Sequence, residues 1–487
     1  MDKLLKKIAP VFKNKVILFV FSRYGTYLIH FINSLLIAVY LGPFYLGIWG
    51  FITLVTSYMH HVNFGIADAV TAIVSVHKSK DVYVEKVIGT AITMLLGLSL
   101  IAIVLFSINA IFNLDLGSRY SFATYAPVVV LIGVLAYFNN LFNHIFRAFG
   151  KLFEIAFSQS IFPLLMLSAI ILFRDNELLW AMLLANFTAF LLAFIMYVAR
   201  APVKLKPTFS ADLFKTIQTK GWHLFIYNTS FYFIVISTRS FVSGYYSVVE
   251  FGFFTFAFSL ANVMLLFLQS MAYLVYPKML NRFASGKTSQ NIELLQKLRD
   301  AYVTTSHLLI HIAILLFPFF LILFPEFTDA TDAFKLIALS ILLYTNSFGY
   351  SGLLIAKGFE KQISRLSFSA LIINVISAVI LIKAFSVPFS MVVLATMFSY
   401  FIYVYMVGKL GMKMLELDYS FIQVIKDIYP MRLLGPYALS LFLIITAVPS
   451  HFLATPLILF IVFNFKVLLN LKTVFKSVID NPKFINI

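Results

Sequence analysis

The sequence predicts an all-α integral membrane protein, and three observations predict that fold class. Of the 487 residues, 61% are hydrophobic and 12% are charged, whereas soluble domains have roughly 45–50% and about 25%. The apolar residues come in runs of about 20, the length that crosses a hydrocarbon core roughly 30 Å thick. The net charge is +17, and cytoplasmic loops of membrane proteins retain lysine and arginine.

Apolar runs and the breakers between them predict fourteen transmembrane helices. The first run contains Arg23 and lacks a small-residue cleavage site, so we expect a retained span rather than a signal peptide. The predicted helices, in order, are 16–40, 44–66, 87–109, 122–145, 155–173, 178–199, 222–242, 250–275, 302–324, 334–355, 365–385, 388–408, 433–449 and 451–470.

The basic residues predict the orientation of these helices. With a cytoplasmic N-terminus, the cytoplasmic connections and tail hold 31 of the 37 lysines and arginines, and the opposite side holds 5. A miscounted helix would invert every later loop and destroy this asymmetry. Both termini are therefore predicted in the cytoplasm, and the positive charge records orientation instead of indicating a nucleic-acid partner.

A long basic connection and a weak internal repeat predict two lobes. The pattern Tyr-x6-Gly-x3-Phe occurs around Gly47 and again 205 residues later around Gly252, as in the parallel repeats of some transporters. We predict two parallel-related six-helix lobes around a central cavity, plus a C-terminal helix pair. The predicted organisation is an N-terminal six-helix lobe (1–199), a cytoplasmic linker (200–221), a C-terminal six-helix lobe (222–408), a cytoplasmic loop (409–432), and helices 13–14 with the tail (433–487).

Polar residues at helical spacing mark faces turned away from lipid. Such stripes occur on predicted helices 1, 2, 4, 7 and 8, and we interpret them as walls of the cavity. For a single Ser, Thr or Asn, the alternative is a packing contact between helices. The predicted cavity residues are Arg23, Tyr27, His30, Asn33, His60, Asn63, Asn140, His223, Tyr227 and Asn262.

Arg23 carries most of the functional hypothesis. It lies about seven residues, or roughly 10 Å, inside the first span, where a guanidinium costs a few kcal/mol or more unless it is solvated or paired. Its planar fork binds phosphate oxygens at two points, so the expected ligand is a phosphate or diphosphate head group. The alternative is that Arg23 snorkels to the cytoplasmic surface.

Other charged residues are secondary candidates. Arg147 and Lys151, after predicted helix 4, are placed to attract lipid phosphate, although positive-inside topology explains them equally well. Arg239 and Glu250 are candidates for the outer part of the cavity, with a solvated surface position as the alternative. Asp68 is a candidate for ion coupling.

The alternative for Asp68 is a helix cap or a salt bridge with Lys78 or Lys80. His307 and His311 stand one turn apart on predicted helix 9 and could relay protons or bind a metal, but no carboxylate lies within a turn. The chain has no cysteine and no GxxxxGK[ST], HExxH or nucleophile-elbow motif. We therefore expect no enzyme activity, no metal site and no cofactor, with H⁺ or Na⁺ as candidate coupling ions.

Several motifs point to a known family. They are Ser22-Arg23-Tyr24-Gly25, Tyr40-Leu41-Gly42-Pro43 with Trp49-Gly50-Phe51, Asn63-Phe64-Gly65-Ile66-Ala67, Arg147-Ala148-Phe149-Gly150-Lys151 and Tyr276-Pro277-Lys278. Together they resemble bacterial polysaccharide repeat-unit flippases, the Wzx-like branch of the multidrug/oligosaccharidyl-lipid/polysaccharide (MOP) exporter superfamily. One departure is Thr238 before Arg239 in predicted helix 7, where the family often has an acid.

The resemblance implies a cationic cavity that opens alternately to either face of the bacterial cytoplasmic membrane. The cargo would be an oligosaccharide on undecaprenyl diphosphate, moved from the cytoplasmic to the outer leaflet for O-antigen, capsule or exopolysaccharide synthesis. Arg23 matches the arginine that related flippases place in that cavity. Besides the cargo and membrane lipids, the resemblance makes a polysaccharide polymerase and chain-length machinery candidate partners.

The sequence leaves three alternative functions open. A multidrug or metabolite cation antiporter of the same superfamily would usually have a buried acid, and the predicted spans offer no mid-span Asp or Glu. A peptidoglycan-precursor flippase is poorly separated by sequence. A membrane glycosyltransferase or polymerase is disfavoured because the longest outer connection has only about a dozen residues, too few to carry the chemistry.

Overall fold

The computed structural model of the chain describes residues 15–77, 81–112 and 117–480. Side chains are described in these ranges except at 15–24, 110, 175–176, 223–224, 228, 267, 269–278, 281 and 472–480. The regular structure in these ranges is helical, and the predicted all-α membrane fold class is confirmed.

The described ranges contain sixteen α-helices. The first eight are α1 Lys15–His61, α2 Ile66–His77, α3 Asp81–Phe112, α4 Phe122–Ala148, α5 Leu152–Leu172, α6 Asp175–Ala199, α7 Ala211–Tyr245 and α8 Val248–Ser285. The others are α9 Thr288–Phe320, α10 Thr331–Thr345, α11 Tyr350–Ala356, α12 Glu360–Lys383, α13 Val393–Met414, α14 Phe421–Ile428, α15 Met431–Ile445 and α16 Ala454–Asp480. Short 3-10 turns occur at Ser118–Tyr120, Leu321–Leu323, Pro325–Ala330, Phe389–Val392 and Ser450–Leu453.

Helix α1 contains a break that corresponds to the predicted boundary between helices 1 and 2. Its 47 residues would extend about 70 Å at 1.5 Å per residue, more than twice a hydrocarbon core. Gly42 has non-helical backbone angles (φ 62°, ψ 176°) and is followed by Pro43. A positive φ suits glycine, and proline removes a helical hydrogen bond, so the two residues divide α1 into two helical segments.

Judged by length and composition, fewer helices qualify as membrane crossings than the fourteen that the sequence predicts. Within the described residues, ten helices are long and apolar enough to cross, or up to twelve if each of two bent pairs is one span. Helix α1 counts once in that number despite its break, and α7 is not among the ten. The count of fourteen is not confirmed and stays a prediction.

The chain divides into two compact units. Unit 1 extends to Phe225 and includes Ser247–Gly252, and unit 2 contains Ile226–Tyr246 and the residues from Phe253 onward. The exact lobe and linker boundaries predicted from sequence stay predictions. Within the predicted linker, α7 already begins at Ala211.

The first half of that linker packs on α3 in unit 1. The Thr208 amide donates to the Gly89 carbonyl at 3.3 Å, and the Thr93 hydroxyl donates to the Thr208 carbonyl at 3.0 Å. A Cβ at Gly89 would clash with the Thr208 side chain and the Lys206 carbonyl. The segment is therefore held against the helices instead of forming a free tether.

Unit 1 has a core of aliphatic and aromatic side chains from α2, α3, α4 and α6. Val70, Ile88, Leu141 and Tyr197 are fully buried within it. The far end of α3 instead exposes large apolar side chains, including Ile111 at 72%. Because lipid tails are as apolar as leucine, such a surface is stable in a bilayer.

Candidate functional site

The polar stripe of α1 packs against α5 in unit 1. The Thr26 hydroxyl lies 2.9 Å from the Ser160 hydroxyl, and the Asn33 amide donates to the Pro163 carbonyl at 2.8 Å. Asn33 is only 3% exposed. Its contact with α5 is therefore a packing contact between helices, the alternative to a cavity position that the sequence left open for single Ser, Thr and Asn residues. Its predicted cavity role stays a prediction.

Two other predicted cavity residues on α1 are less enclosed. Tyr27 and His30 are half-buried, and the His30 ring lies 5.6 Å from the Phe162 ring. The side chain of Arg23, on which the hypothesis chiefly rests, lies outside the described residues. The arrangement around it is therefore known only through its neighbours on α1.

Asn63 shapes the turn between α1 and α2. Its side-chain oxygen accepts a hydrogen bond from the Gly65 amide at 3.0 Å. Phe64 and Gly65 both have positive φ, 52° and 72°, a conformation that Asn turns support. This hydrogen bond gives Asn63 a local structural role beside its predicted place in the cavity.

The start of α2 and the end of α4 bring together residues that the sequence predicted separately. Asp68, in the first turn of α2, interacts electrostatically with His144 and Arg147 of α4. His60, at the end of α1, interacts with His61 and His144, and its ring lies 5.3 Å from that of His61. We call this the α2–α4 cluster; its members are His60, His61, Asp68, Thr71, His144 and Arg147.

A hydrogen bond assigns the His144 tautomer within the α2–α4 cluster. The Thr71 hydroxyl donates to the Ala67 carbonyl at 3.0 Å and lies 2.8 Å from His144 Nδ1. Because a hydroxyl has one hydrogen, Nδ1 must carry a proton and donate to Thr71. Nε2 is then the nitrogen of His144 that can accept or bind a further proton.

The α2–α4 cluster combines an exposed arginine with imidazole donors and one acid. Arg147 is exposed in the last turn of α4, and Lys151 is exposed just before α5. Asp68 lies at a helix N-terminus, where the helix dipole favours an acid. Lys78 and Lys80, the alternative partners for Asp68, lie outside the described residues. Such a set can bind an anion through Arg147 while Asp68 orients the cationic groups.

A second polar network joins α4, α5 and α6, and residue spacing alone did not indicate it. The Asn143 amide donates to the Tyr197 hydroxyl at 3.2 Å, and Tyr197 also bonds Ser158. Glu154, only 8% exposed, pairs with Arg200 at 3.6 Å. An acid at the start of an apolar run was the one sequence feature that could have indicated this pair.

The two adjacent asparagines of α4 have different environments. Asn139 is buried and donates to the Phe190 carbonyl of α6 at 2.8 Å. Asn140, the predicted cavity residue, is half-buried. Since successive residues are about 100° apart on a helix, Asn140 cannot point along the same direction as Asn139.

In unit 2, the helices bury Arg239. It is 6% exposed, and its guanidinium carbon lies 4.7 Å from the centre of the Phe258 ring. The neighbouring Thr238 hydroxyl lies 2.6 Å from that of Thr396. Arg239 is therefore not the solvated surface residue of the alternative reading, and its contact with Phe258 is a cation–π interaction.

The remaining predicted site residues differ in environment. Glu250 accepts hydrogen bonds from the amide and hydroxyl of Ser247 at 2.8 and 2.7 Å, while the Ser247 hydroxyl accepts from the Glu250 amide at 3.2 Å. This is a capping box at the start of α8, readable as Ser-x-x-Glu in the sequence. Tyr227 is half-buried, Asn262 is exposed, and the His223 side chain lies outside the described residues.

The chain matches one protein family and resembles several solved structures. Residues 12–283 match the family described as "Polysaccharide biosynthesis protein". A search of the curated proteins finds no match. Among solved structures, the chain is similar to "Lipid II flippase MurJ, inward closed conformation", with 14% identity, a TM-score of 0.70, and coverage of 94% of this chain and 98% of that one.

Multidrug transporters of the MATE family are also similar. The inward-facing conformation of a MATE transporter of the MOP superfamily has 13% identity and a TM-score of 0.58, covering 83% of this chain and 95% of that one. The outward-facing conformation has 14% identity and a TM-score of 0.57, covering 83% and 94%. At these identities the likeness to solved structures shows the fold alone, and the family match confirms the predicted resemblance to proteins of polysaccharide biosynthesis.

Proposed function

The chain belongs to the polysaccharide biosynthesis protein family, and on that premise we propose that it is a flippase for undecaprenyl-diphosphate-linked oligosaccharide repeat units. It moves them from the cytoplasmic to the outer leaflet of the bacterial cytoplasmic membrane by alternating access. The cargo supplies O-antigen, capsule or exopolysaccharide synthesis, with the polymerase and chain-length machinery as downstream partners. H⁺ or Na⁺ is the proposed coupling ion.

The observation that carries this proposal is the α2–α4 cluster. An exposed guanidinium, Arg147, stands beside the imidazole of His144 within a unit built from apolar helices. A diphosphate is a multiply charged anion that the arginine fork can bind at two oxygens. The cluster therefore supports a lipid-linked anion as the cargo.

The energetics of lipid transfer explain why a protein is needed. Moving a diphosphate and several sugars through hydrocarbon would strip water from every hydroxyl and charge, which is prohibitive without compensating hydrogen bonds. Polar residues along a protected path replace that water. The polyprenyl tail is as apolar as the bilayer, so it can remain in lipid throughout.

A cation antiporter is the second candidate function, supported by the similarity to MATE transporters. A cationic drug calls for an acid as its main partner, whereas the α2–α4 cluster sets one acid, Asp68, against Arg147 and three histidines. The higher TM-score with the Lipid II flippase than with the MATE structures supports a lipid-linked cargo. A peptidoglycan-precursor flippase therefore remains the alternative within the same class.

Deletion of the gene followed by analysis of lipid-linked intermediates tests the proposal. We expect one undecaprenyl-linked oligosaccharide to accumulate on the cytoplasmic leaflet while surface glycan is lost. Accumulation of peptidoglycan precursor would move the assignment to that cargo. The absence of any lipid-linked intermediate would favour the antiporter instead.

A further inference from the structure

A stripe of polar residues runs into the interior of unit 2 along one face of α9. Asp300, Thr304, His307 and His311 follow one another at spacings of four, three and four residues, which places them on one side of a helix. Asp300 is largely exposed, whereas Thr304, His307 and His311 are 0%, 1% and 2% exposed. Over these residues the stripe extends about 16 Å along the helix.

Each histidine has one partnered and one unpartnered ring nitrogen. His307 Nε2 lies 3.4 Å from the side-chain oxygen of Asn346, and His311 Nδ1 lies 3.3 Å from the Ser440 hydroxyl. Among the described residues, His307 Nδ1 and His311 Nε2 are buried without a hydrogen-bond partner. The two rings are 6.0 Å apart and both pack on Phe460 of α16.

The tautomer of His307 follows from its partner. An amide oxygen only accepts, so Nε2 carries the hydrogen and donates to Asn346. Nδ1 is then a buried lone pair, and it is the atom at which a proton would bind. The Thr304 and Tyr437 hydroxyls are also buried without partners in the described part of unit 2, so this interior contains further groups able to carry a proton.

The charged group that acts on the pair from another helix is Arg432 of α15, which acts electrostatically on His307. The helices that supply the partners of the pair also carry tyrosines close in sequence to those partners: Tyr437 lies three residues before Ser440 on α15, and Tyr344 lies two residues before Asn346 at the end of α10. The described side chains of α16 include one charged group, Lys466, which is exposed. On α9 itself, Asp300 is paired with Arg432 at 2.7 Å.

Among the side chains that the structure describes, the pair therefore lacks an unpaired acid that would balance a positive charge. An imidazolium in this packed, apolar interior is unfavourable, and Arg432 adds repulsion. A conformation that admits water to the pair would favour the charged form. By linkage, acidification must then shift the population toward that more hydrated conformation.

We propose that His307 and His311 form a buried proton-binding site, reached along α9 from Asp300, whose occupancy loosens the packing of α15 and α16 on α9. The contacts that hold these helices together at the pair are those of Ser440 and Phe460. The site belongs to unit 2, whereas the α2–α4 cluster belongs to unit 1, and it binds a proton in place of an anion. Its role in a transport cycle rests on the proposed function, but proton binding and helix movement do not.

Distance measurement between spin labels tests the site without any cargo. The chain has no cysteine, so Leu316→Cys on α9 and Phe442→Cys on α15, both exposed positions, allow double electron–electron resonance on the full chain in nanodiscs. Between about pH 8 and about pH 4, a range that extends below the ordinary titration of imidazole because this interior disfavours the charged form, we expect a population with a distance changed by at least the ~1–2 Å of a helix shift.

Variants separate this site from other titrating groups. His307→Gln combined with His311→Gln should abolish the pH response, while His451→Gln, an exposed histidine of the same unit, should retain it. Each single variant should weaken the response, which covers the case of a double variant that fails to fold. A pH-independent distance in the otherwise native chain, or a full response in the folded double variant, overturns the proposal. Glycan export is measured in a separate experiment. A wrong cargo assignment would therefore not affect the conclusion drawn from the spin-label distances.

Discussion

At the residue scale, Asp427 joins three elements of unit 2. Its carboxylate accepts from Arg299 Nη1 of α9 at 2.6 Å and from the Tyr350 hydroxyl of α11 at 2.8 Å. The second guanidinium nitrogen donates to the backbone carbonyl of Asp427. Arg299 is 8% exposed, so this carboxylate is what compensates a mostly buried positive charge.

Removal of that carboxylate should therefore destabilise unit 2. We expect Asp427→Ala to lower the free energy of unfolding by roughly 2–4 kcal/mol, slightly less than for a fully buried pair because part of Asp427 is exposed. Thermal unfolding of the purified protein in detergent measures the change. The matched control is Glu293→Ala, which breaks the exposed Glu293–Lys297 pair at 2.7 Å and should leave the melting temperature nearly unchanged, because water screens an exposed pair. Equal effects of the two substitutions would contradict the structural role of Asp427.

Two substitutions of Arg147, in the α2–α4 cluster, separate the contribution of its positive charge from that of its planar shape. Arg147→Ala should reduce export of surface glycan at least tenfold, and Arg147→Lys should restore only part of it, since lysine keeps the charge but loses the planar fork. Export per unit of membrane-inserted protein is the measurement. Lys215→Ala, an exposed basic residue of α7 in the same unit, is the control and should export normally. Normal export by Arg147→Ala would remove Arg147 from the phosphate site.

Arg23 remains the strongest prediction from the sequence alone. We expect Arg23→Ala to abolish glycan export although the protein still reaches the membrane, because the predicted cavity would lose the one cation that the sequence places inside the first span. Quantification of surface glycan together with membrane-fraction blotting measures this. Normal glycan display in that variant would refute the cavity role and favour snorkelling.

At the element scale, the two glycines matched by the internal repeat contact each other's helices. A Cβ at Gly47 of α1 would clash with the Val248 carbonyl of α8, and a Cβ at Gly252 would clash with the Pro43 carbonyl. All four residues belong to unit 1. The small residues thus allow two backbones to approach closely, as membrane helix pairs often do.

A methyl group at this contact should separate the helices. We expect Gly252→Ala to destabilise the protein by about 1–3 kcal/mol, the range for overpacking. Gly97→Ala in α3, where a Cβ would meet nothing within 4 Å, should be neutral or stabilising by up to about 1 kcal/mol, because alanine favours helix. The melting temperatures of both variants measure these two changes in stability. A neutral Gly252→Ala would mean that the approach is looser than the structure shows.

Polar spacing predicted which helices carry polar faces, but it did not separate packing contacts from cavity positions. Asn33, with its carbonyl contact on α5, and the half-buried His30 stand one turn apart on the same stripe. Helical periodicity specifies a direction around one helix and contains no information on which neighbour lies there. The capping role of Glu250, in contrast, was readable from local spacing alone.

At the scale of the whole molecule, orientation is the property most directly tested. Because the chain is free of cysteine, single cysteines can be labelled from either side of the membrane without background. We expect Ser386→Cys, in the outer connection between predicted helices 365–385 and 388–408, to react with a membrane-impermeant maleimide in intact cells. Ser289→Cys, in a predicted cytoplasmic connection, should react only after lysis. Labelling of both in intact cells would invalidate the positive-inside assignment.

The sequence by itself determined the all-α membrane fold class and the positions of its apolar segments, because hydrophobicity and breakers are sums over neighbouring residues. Only the tertiary structure decided that Thr71 and His144, 73 positions apart, share a hydrogen bond, and that Arg299 pairs with Asp427, 128 positions away. Such pairs depend on which helices pack together and at what rotation. A pattern read along one helix cannot specify either quantity.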